Sequence, residues 1–189
     1  MIRFALIGCG KIAQRHSQLL GEGQITNASL VSVCDKDLVR ATQIADKYKI
    51  SAYSCMHEMM ENEDIDAVVI LTASGLHAQH TSELAPYGKA IVVEKPMALT
   101  LDDADKMIEA CDMHGAKLFI VKQNRFNLPV IKLKQAVDQG RFGKLIMGTI
   151  RIRWCRTQEY YDQDPWRGTW AYDGGVLTNQ ASHHLDLLE

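Results

Sequence analysis

Glu94-Lys95-Pro96 closes the apolar run Ala90-Ile91-Val92-Val93. That run reads as a strand of a parallel sheet, which places Lys95 at the sheet's carboxyl edge, just before a helix opening at Thr100. Open α/β sheets hold their ligands at that edge, and an amine there can exchange a proton with a bound substrate. Lys-Pro is also common in plain turns, so the tripeptide alone says little. Two further segments add weight. Gly8-x-Gly10-x-x-Ala13 follows the strand pattern Phe4-Ala5-Leu6-Ile7 and opens a helix, the context in which glycines cradle a diphosphate. Asn179-Gln180-Ala181-Ser182-His183 brings an amide and an imidazole near the other end of the chain.

In the first segment Gly8 permits the tight turn, Gly10 lets a diphosphate approach the backbone, and Ala13 is small enough for close helix–strand packing. Lys11 and Ile12 open the helix beneath it. Asp35 ends the second strand pattern, 25 residues after Gly10, against about 20 for the usual ribose-binding acid. Its charge would repel a 2′-phosphate and favour NAD over NADP, while Lys36 beside it works the other way. Further on, Arg125, Arg153, Arg156, Tyr160, Tyr161, Trp166 and Arg167 form a cationic, aromatic group. Arginines that fork onto a diphosphate and rings that stack on a base would explain it; a charged strand face with buried tryptophans is the other reading.

The elements that must position these residues alternate regularly. Strand patterns at Phe4–Ile7, Ser29–Cys34, Ala67–Leu71, Ile91–Val93 and Lys117–Val121 are separated by helical patterns at Lys11–Leu20, Leu38–Tyr48, His77–Tyr87 and Thr100–His114, with a short helix at Met56–Glu61. Threonine caps the Thr100 helix, with Asp103 at the reciprocal position of a capping box. The succession predicts a doubly wound parallel sheet, a Rossmann domain over residues 1–122. The pattern then changes. A helix at Pro129–Gln139 precedes a long alternating strand at Ile146–Trp154, and a last helix starts near Gln180. Residues 123–189 read as the incomplete start of a second α/β domain, and the halt at Glu189 in mid-helix predicts a truncated product.

These segments together resemble the glucose–fructose oxidoreductase/inositol dehydrogenase (Gfo/Idh/MocA) family along the whole chain. The residues that carry the likeness are Gly8-Cys9-Gly10-Lys11-Ile12-Ala13-Gln14-Arg15-His16, Glu94-Lys95-Pro96, Gln123-Asn124-Arg125-Phe126 and Gly174-Gly175 through His183. The resemblance implies a Rossmann domain followed by an α/β domain that covers the active site and mediates homo-oligomerisation. It implies that Lys95 is catalytic, with a cis bond before Pro96, and that His183 lies by the substrate hydroxyl. Like charge from a nicotinamide and partial burial would ease loss of the Lys95 proton. His184 points about 100° away from His183 on a helix, and the motif register favours His183. Thr72, Ser74 and His77 stand where the family has a Pro-Asn pair and the same histidine, which implies contacts to the nicotinamide ribose or diphosphate. Ser74 reads equally well as a helix start. Trp166 and Arg167 match a family position near the nicotinamide, and Glu94 joins them in the expected cofactor set. Asn179 stands where the family often has aspartate, and Ala181 where it often has glycine. An asparagine can orient a hydroxyl but cannot act as a charged base, which shifts proton transfer to Lys95 and His183. Trp166-Arg167-Gly168-Thr169-Trp170 and Asn179–His184 look most like members that oxidise nucleotide-linked amino sugars or their uronates in surface-polysaccharide pathways.

Composition narrows the alternatives. A chain of 189 residues that is 47% hydrophobic and 23% charged can bury a real core. A net charge of -2 gives no basic field for nucleic acid and no polybasic membrane anchor. No apolar stretch approaches the about 18 residues of a membrane span, and no leader pattern precedes the first strand; the expected compartment is the cytoplasm. The five cysteines are scattered without metal-ligand spacing, so reduced buried thiols and no metal site are expected. The reading is an NAD-dependent dehydrogenase acting on a secondary alcohol of a sugar, a UDP-linked amino sugar or its uronate. A non-catalytic dinucleotide sensor, or an inactive fragment, is the alternative. Retention of both Lys95 and His183 favours the enzyme.

Overall fold

Parallel strands cannot be joined by tight turns, and the first part of the chain obeys that constraint throughout. The computed structural model describes residues 1–189, which form two units, Met1–Ile120 and Val121–Glu189. In the first unit β1 (Ile2–Ile7), β2 (Ala28–Cys34), β3 (Ser51–Tyr53), β4 (Ala67–Ile70), β5 (Ala90–Val93) and β6 (Leu118–Ile120) alternate with α1 (Lys11–Gly21), α2 (Leu38–Tyr48), α3 (Met56–Asn62), α4 (His77–Leu84) and α5 (Leu101–Met113). The strands form one parallel sheet in the order β3-β2-β1-β4-β5-β6. This is the order of dinucleotide-binding sheets, with its reversal between β1 and β4. The fold is the expected doubly wound α/β sheet. β3 was not expected; Ser51-Ala52-Tyr53 is too short to show a period.

Register places the site. Ile7 lies opposite both Cys34 and Ile70, and Ile70 opposite Val93. Four strands therefore end at one level, and the next residues along them are Gly8, Asp35, Leu71 and Glu94. β4 is buried on both faces: Val68 and Ile70 pack with Leu84, Ile91 and Met107, and Val69 with Leu6, Ala13, Val33 and Ile44. That two-sided burial is why Ala67-Val68-Val69-Ile70 reads as an unbroken apolar run. Asp37 caps α2 by accepting from Val39 N at 3.1 Å. Thr100 caps α5 by accepting from Asp103 N at 3.1 Å, but the Asp103 carboxylate takes the Thr100 hydroxyl instead of its backbone N–H. No helix is long and apolar enough to cross a membrane.

The second unit holds α6 (Leu128–Asp138), α7 (Gln158–Asp162) and α8 (Ser182–Asp186), the last entered through a π-helical turn at Leu177–Ala181. The strand expected at Ile146–Trp154 does not form: residues 145–157 are neither helix nor strand. Side-chain alternation makes a strand only when another strand takes its N–H and C=O groups, and no segment of this unit does so. Ile146 and Met147 are 90% and 85% exposed. Asp186 accepts both Nε and Nη2 of Arg125 at 2.7 Å and lies 3.4 Å from Lys122, tying the start of the unit to α8. Arg125 thereby holds the Asp186 carboxyl below its ordinary range.

Candidate functional site

The turn between β1 and α1 is built on two glycines with different tasks. Gly8 has φ +96°, and a Cβ there would lie 2.9 Å from the backbone of Leu71 and Thr72. Its N–H donates to Cys34 O at 2.8 Å, so the turn is pinned between two neighbouring strands. Gly10 is the residue before α1, and a Cβ there would meet nothing within 4 Å. It faces open space at a helix N-terminus whose first turn carries no acidic side chain and no side-chain cap. Free N–H groups and the helix dipole there suit an anion. Asp35 stands beside the turn, accepting Cys9 N on Oδ2 at 2.7 Å and Asp37 N on Oδ1 at 2.9 Å. An open glycine cradle, an uncompensated helix end and an adjacent carboxylate fit a dinucleotide. Cys9 and Cys34 lie beneath, their thiols pushed up to about 12, chiefly by burial. Neither is a nucleophile at neutral pH. Cys111 is also buried, Cys55 is partly so, and Cys155 is exposed, contrary to the expectation of burial.

The ends of β4 and β5 meet through one side chain. His77 is 1% exposed, with Nδ1 2.7 Å from Pro96 O and Nε2 3.1 Å from Thr72 O. Burial drives its pKa down against the raising effect of the two carbonyls. A neutral ring donates one proton, and the shorter contact, to Pro96, takes it. With both nitrogens turned to backbone, His77 ties the end of β4 to the Lys95–Pro96 turn. Thr72 Oγ1 lies 3.1 Å from His80 Nδ1. Ser74 is buried in a 3₁₀ turn, and its side chain caps neither that turn nor α4. The Lys95–Pro96 bond is cis. Glu94 meets His16 Nε2 at 3.0 Å and accepts Lys95 N at 3.1 Å. Burial pushes the Glu94 carboxyl up, but the hydrogen bond and charge of His16 with the charge of Lys95 outweigh it and hold it below its ordinary range. Sequence reading missed this pair. The available signal was His16 standing in the second turn of a helix that begins at the cradle.

In the second unit Asn179 and His183, four residues apart and so on one helical face, are each 6% exposed. Gln123 Nε2 lies 3.2 Å from His183 Nε2. His184 meets the Trp154 ring edge-on at 5.4 Å, the packing contact that the motif register, which favours His183, leaves to it. Arg125 has Nε and Nη2 engaged with Asp186. Arg153 is exposed. Arg156 lies 5.2 Å from the Trp154 ring and 4.9 Å from Tyr160, and Arg167 4.6 Å from Tyr160 and 4.9 Å from Trp166. Cations and rings thus alternate in one ladder. Gln180 joins it, accepting from Arg156 Nη2 at 3.1 Å and donating to Tyr160 Oη at 3.0 Å. Beside it opens a cavity of about 460 Å³ walled by Tyr161, Arg167, Gly168, Asp173 and Gln180 among others.

Residues 2–122 match the model of the Gfo/Idh/MocA oxidoreductase family with an NAD-binding Rossmann fold, and residues 130–189 match that of its C-terminal domain. The chain belongs to this family. Residues 2–122 carry the family's NAD-binding Rossmann fold. Its structure is similar to that of the WlbA dehydrogenase from Bordetella pertussis in complex with NADH and UDP-GlcNAcA, with TM-score 0.93 and 42% identity over 99% of this chain and 57% of that one. The Chromobacterium violaceum WlbA dehydrogenase, in complex with the same two molecules, gives TM-score 0.94 and 41% identity over 99% of this chain and 54% of that one. A myo-inositol 2-dehydrogenase from Thermotoga maritima is 32% identical over 144 residues, 76% of this chain and 42% of its own length. The chain spans about half the length of these relatives.

Proposed function

We propose that this chain is the cofactor half and the beginning of the substrate domain of a dehydrogenase acting on a secondary alcohol of a nucleotide-linked sugar. The observation that carries this reading is the meeting of the glycine cradle and Glu94-Lys95-cis-Pro96 at the carboxyl edge of one sheet, with register bringing Gly8 and Glu94 to the same level. Bound NAD supplies the hydride acceptor. Gly10 admits the diphosphate to the α1 N-terminus, Asp35 offers acceptors to the adenosine ribose, and Glu94, steadied by His16, holds the turn that bears Lys95. Lys95 and His183 exchange the hydroxyl proton, and Asn179 orients the hydroxyl. Arg156 and Arg167 with their flanking rings supply what a sugar nucleotide demands, cations for a diphosphate and faces for a base. The likeness to two WlbA dehydrogenases bound to UDP-GlcNAcA supports a UDP-linked amino sugar or its uronate. The complete polypeptide would be a homo-oligomer built on its C-terminal domain.

The inositol dehydrogenase relatives favour a second substrate class, a free polyol. It has no diphosphate or base, so it leaves the arginine–aromatic ladder without a task. The test is turnover of the complete polypeptide with NAD against UDP-N-acetylglucosamine, its uronate and myo-inositol. Oxidation of a UDP-sugar is expected. Turnover of inositol alone would overturn the substrate class, and NAD binding without turnover of any would favour a sensor.

A further inference from the structure

Asp173 lies at the centre of the second unit's polar contacts, although its Tyr172-Asp173-Gly174-Gly175 setting reads as an ordinary turn. The side chain is 6% exposed. Its Oδ2 accepts Gly168 N at 2.8 Å, and its Oδ1 accepts the side-chain nitrogen of Asn179. A carboxylate only accepts, so only the nitrogen end of the Asn179 amide can face it. The Asn179 carbonyl oxygen is thereby turned away from Asp173. Gly168 directly follows Trp166-Arg167, and Asn179 stands one helical turn before His183. One buried carboxylate thus joins the loop and the helix on which these residues stand. It also forms part of the wall of the 460 Å³ cavity, together with Arg167 and Gln180.

We propose that Asp173 is a positioning residue for the alcohol substrate, fixing Asn179 as a hydrogen-bond acceptor for a sugar hydroxyl and holding Trp166-Arg167 in register with it. The inference rests on the dehydrogenase reading above. It also accounts for a neutral side chain at position 179. An aspartate there would set two carboxylates in contact, and one of them would keep a proton well above the ordinary carboxylate range. The other charged or titratable groups around this tie are Arg167, itself paired with Asp164 at 3.0 Å, Tyr161 on the cavity wall and His183 one turn along.

The test uses Asp173→Ala, Asp173→Asn, Asn179→Asp and the last two combined, in the complete polypeptide. Asp173→Asn replaces two acceptors with one acceptor and one donor, so the Asn179 amide keeps its tie only by turning its oxygen to position 173 and its nitrogen to the substrate. The combined variant restores both ties with donor and acceptor exchanged between positions 173 and 179. Each single variant should lower kcat on a UDP-sugar by roughly 10- to 100-fold, the scale of a misplacement of about 1 Å, while NAD binding, which keeps Gly8, Gly10 and Asp35 intact, changes far less. Hydrogen exchange at the Gly168 amide should quicken in Asp173→Ala, which removes the acceptor, and stay slow in the combined variant. The kcat–pH profile of Asn179→Asp should gain a titration that the combined variant lacks. Wild-type kcat in Asp173→Asn, or failure of the combined variant to keep Gly168 protection, would overturn the proposal. A wild-type chain without any sugar or polyol turnover would instead refute the dehydrogenase reading and this proposal's catalytic part. The exchange series distinguishes the two failures, because it reads the tie without substrate.

Discussion

Replacing each cradle glycine with alanine should separate folding from cofactor binding. At Gly8 the new methyl would lie 2.9 Å from three backbone atoms of Leu71 and Thr72, and φ is +96°. The left-handed conformation costs an L-residue about 1–2 kcal/mol, and overpacking against backbone that cannot swing aside adds about 1–3 kcal/mol. Their sum, about 2–5 kcal/mol, is a large part of a usual stability of about 5–15 kcal/mol. With a urea slope of about 1–3 kcal/mol/M, the unfolding midpoint should fall by about 1 M or more. At Gly10 the same methyl meets nothing within 4 Å, with φ -76° and ψ -161°. Alanine before a helix loses a few tenths to about 1 kcal/mol, and the lower entropy of the unfolded chain returns about 0.4–1 kcal/mol. The midpoint should barely move. The methyl does occupy the space a diphosphate needs, so NAD affinity should drop about tenfold or more, about 1.4 kcal/mol. Urea unfolding and calorimetric titration with NAD read the two effects. A Gly10→Ala chain that binds NAD like the wild type would put the cofactor somewhere other than this turn, and an unshifted Gly8→Ala midpoint would refute the steric argument.

Lys95→Ala and His183→Ala in the complete polypeptide should each depress turnover by roughly 10²–10⁴-fold while NAD binding survives; near-normal turnover in Lys95→Ala would move the catalytic centre elsewhere. His77 and His80 are both held low by burial. The folded state thus refuses protons that the unfolded chain takes up near pH 6.5. Their contribution to stability is complete above that pH and lost as pH falls toward their folded values, so the urea midpoint should begin to decline near pH 6.5 and His80→Gln should reduce the slope; a midpoint constant down to pH 5 would contradict this. His16→Ala should weaken NAD binding only a few-fold, because Glu94 keeps its bond from Lys95 N; loss of all binding in a folded His16→Ala chain would show a larger role for the pair. Amides in residues 145–157 have no ladder partners and should exchange faster than those of β1 or β4 under native conditions.

Most of the first unit was legible because its signals are local. Unbroken β-branched runs such as Ala67–Ile70 and the glycine spacing after Ile7 carry their structural meaning within a few residues. Strand-end positions follow from the same pattern, which is why Gly8, Asp35 and Glu94 could be assigned to one edge before any register was known. What escaped depends on contacts across the chain. His16 reaches Glu94 over 78 residues, and nothing beside either residue announces the other. The position of His77 was visible in the sequence, but its burial between two backbone carbonyls was not. Ile146–Trp154 shows the opposite error: its alternation is real, but alternation describes faces, and a strand also needs a partner for its backbone. Asp173 was hidden by its own neighbours, since Asp-Gly-Gly has an ordinary meaning as a turn.

Asp35 sets a limit on redesign. A carboxylate has about four lone-pair positions, and two are already occupied by the Cys9 and Asp37 amides, leaving about as many as the two hydroxyls of a ribose require. On the proposed cofactor reading, discrimination between dinucleotides and the shape of the glycine turn rest on the same two oxygens. An engineer who exchanges Asp35 for serine to admit a 2′-phosphate removes the charge and also loosens the Cys9 amide. A successful switch of preference would have to bring its own acceptor for that amide, so it should come from paired changes at the β1 and β2 ends, not from position 35 alone.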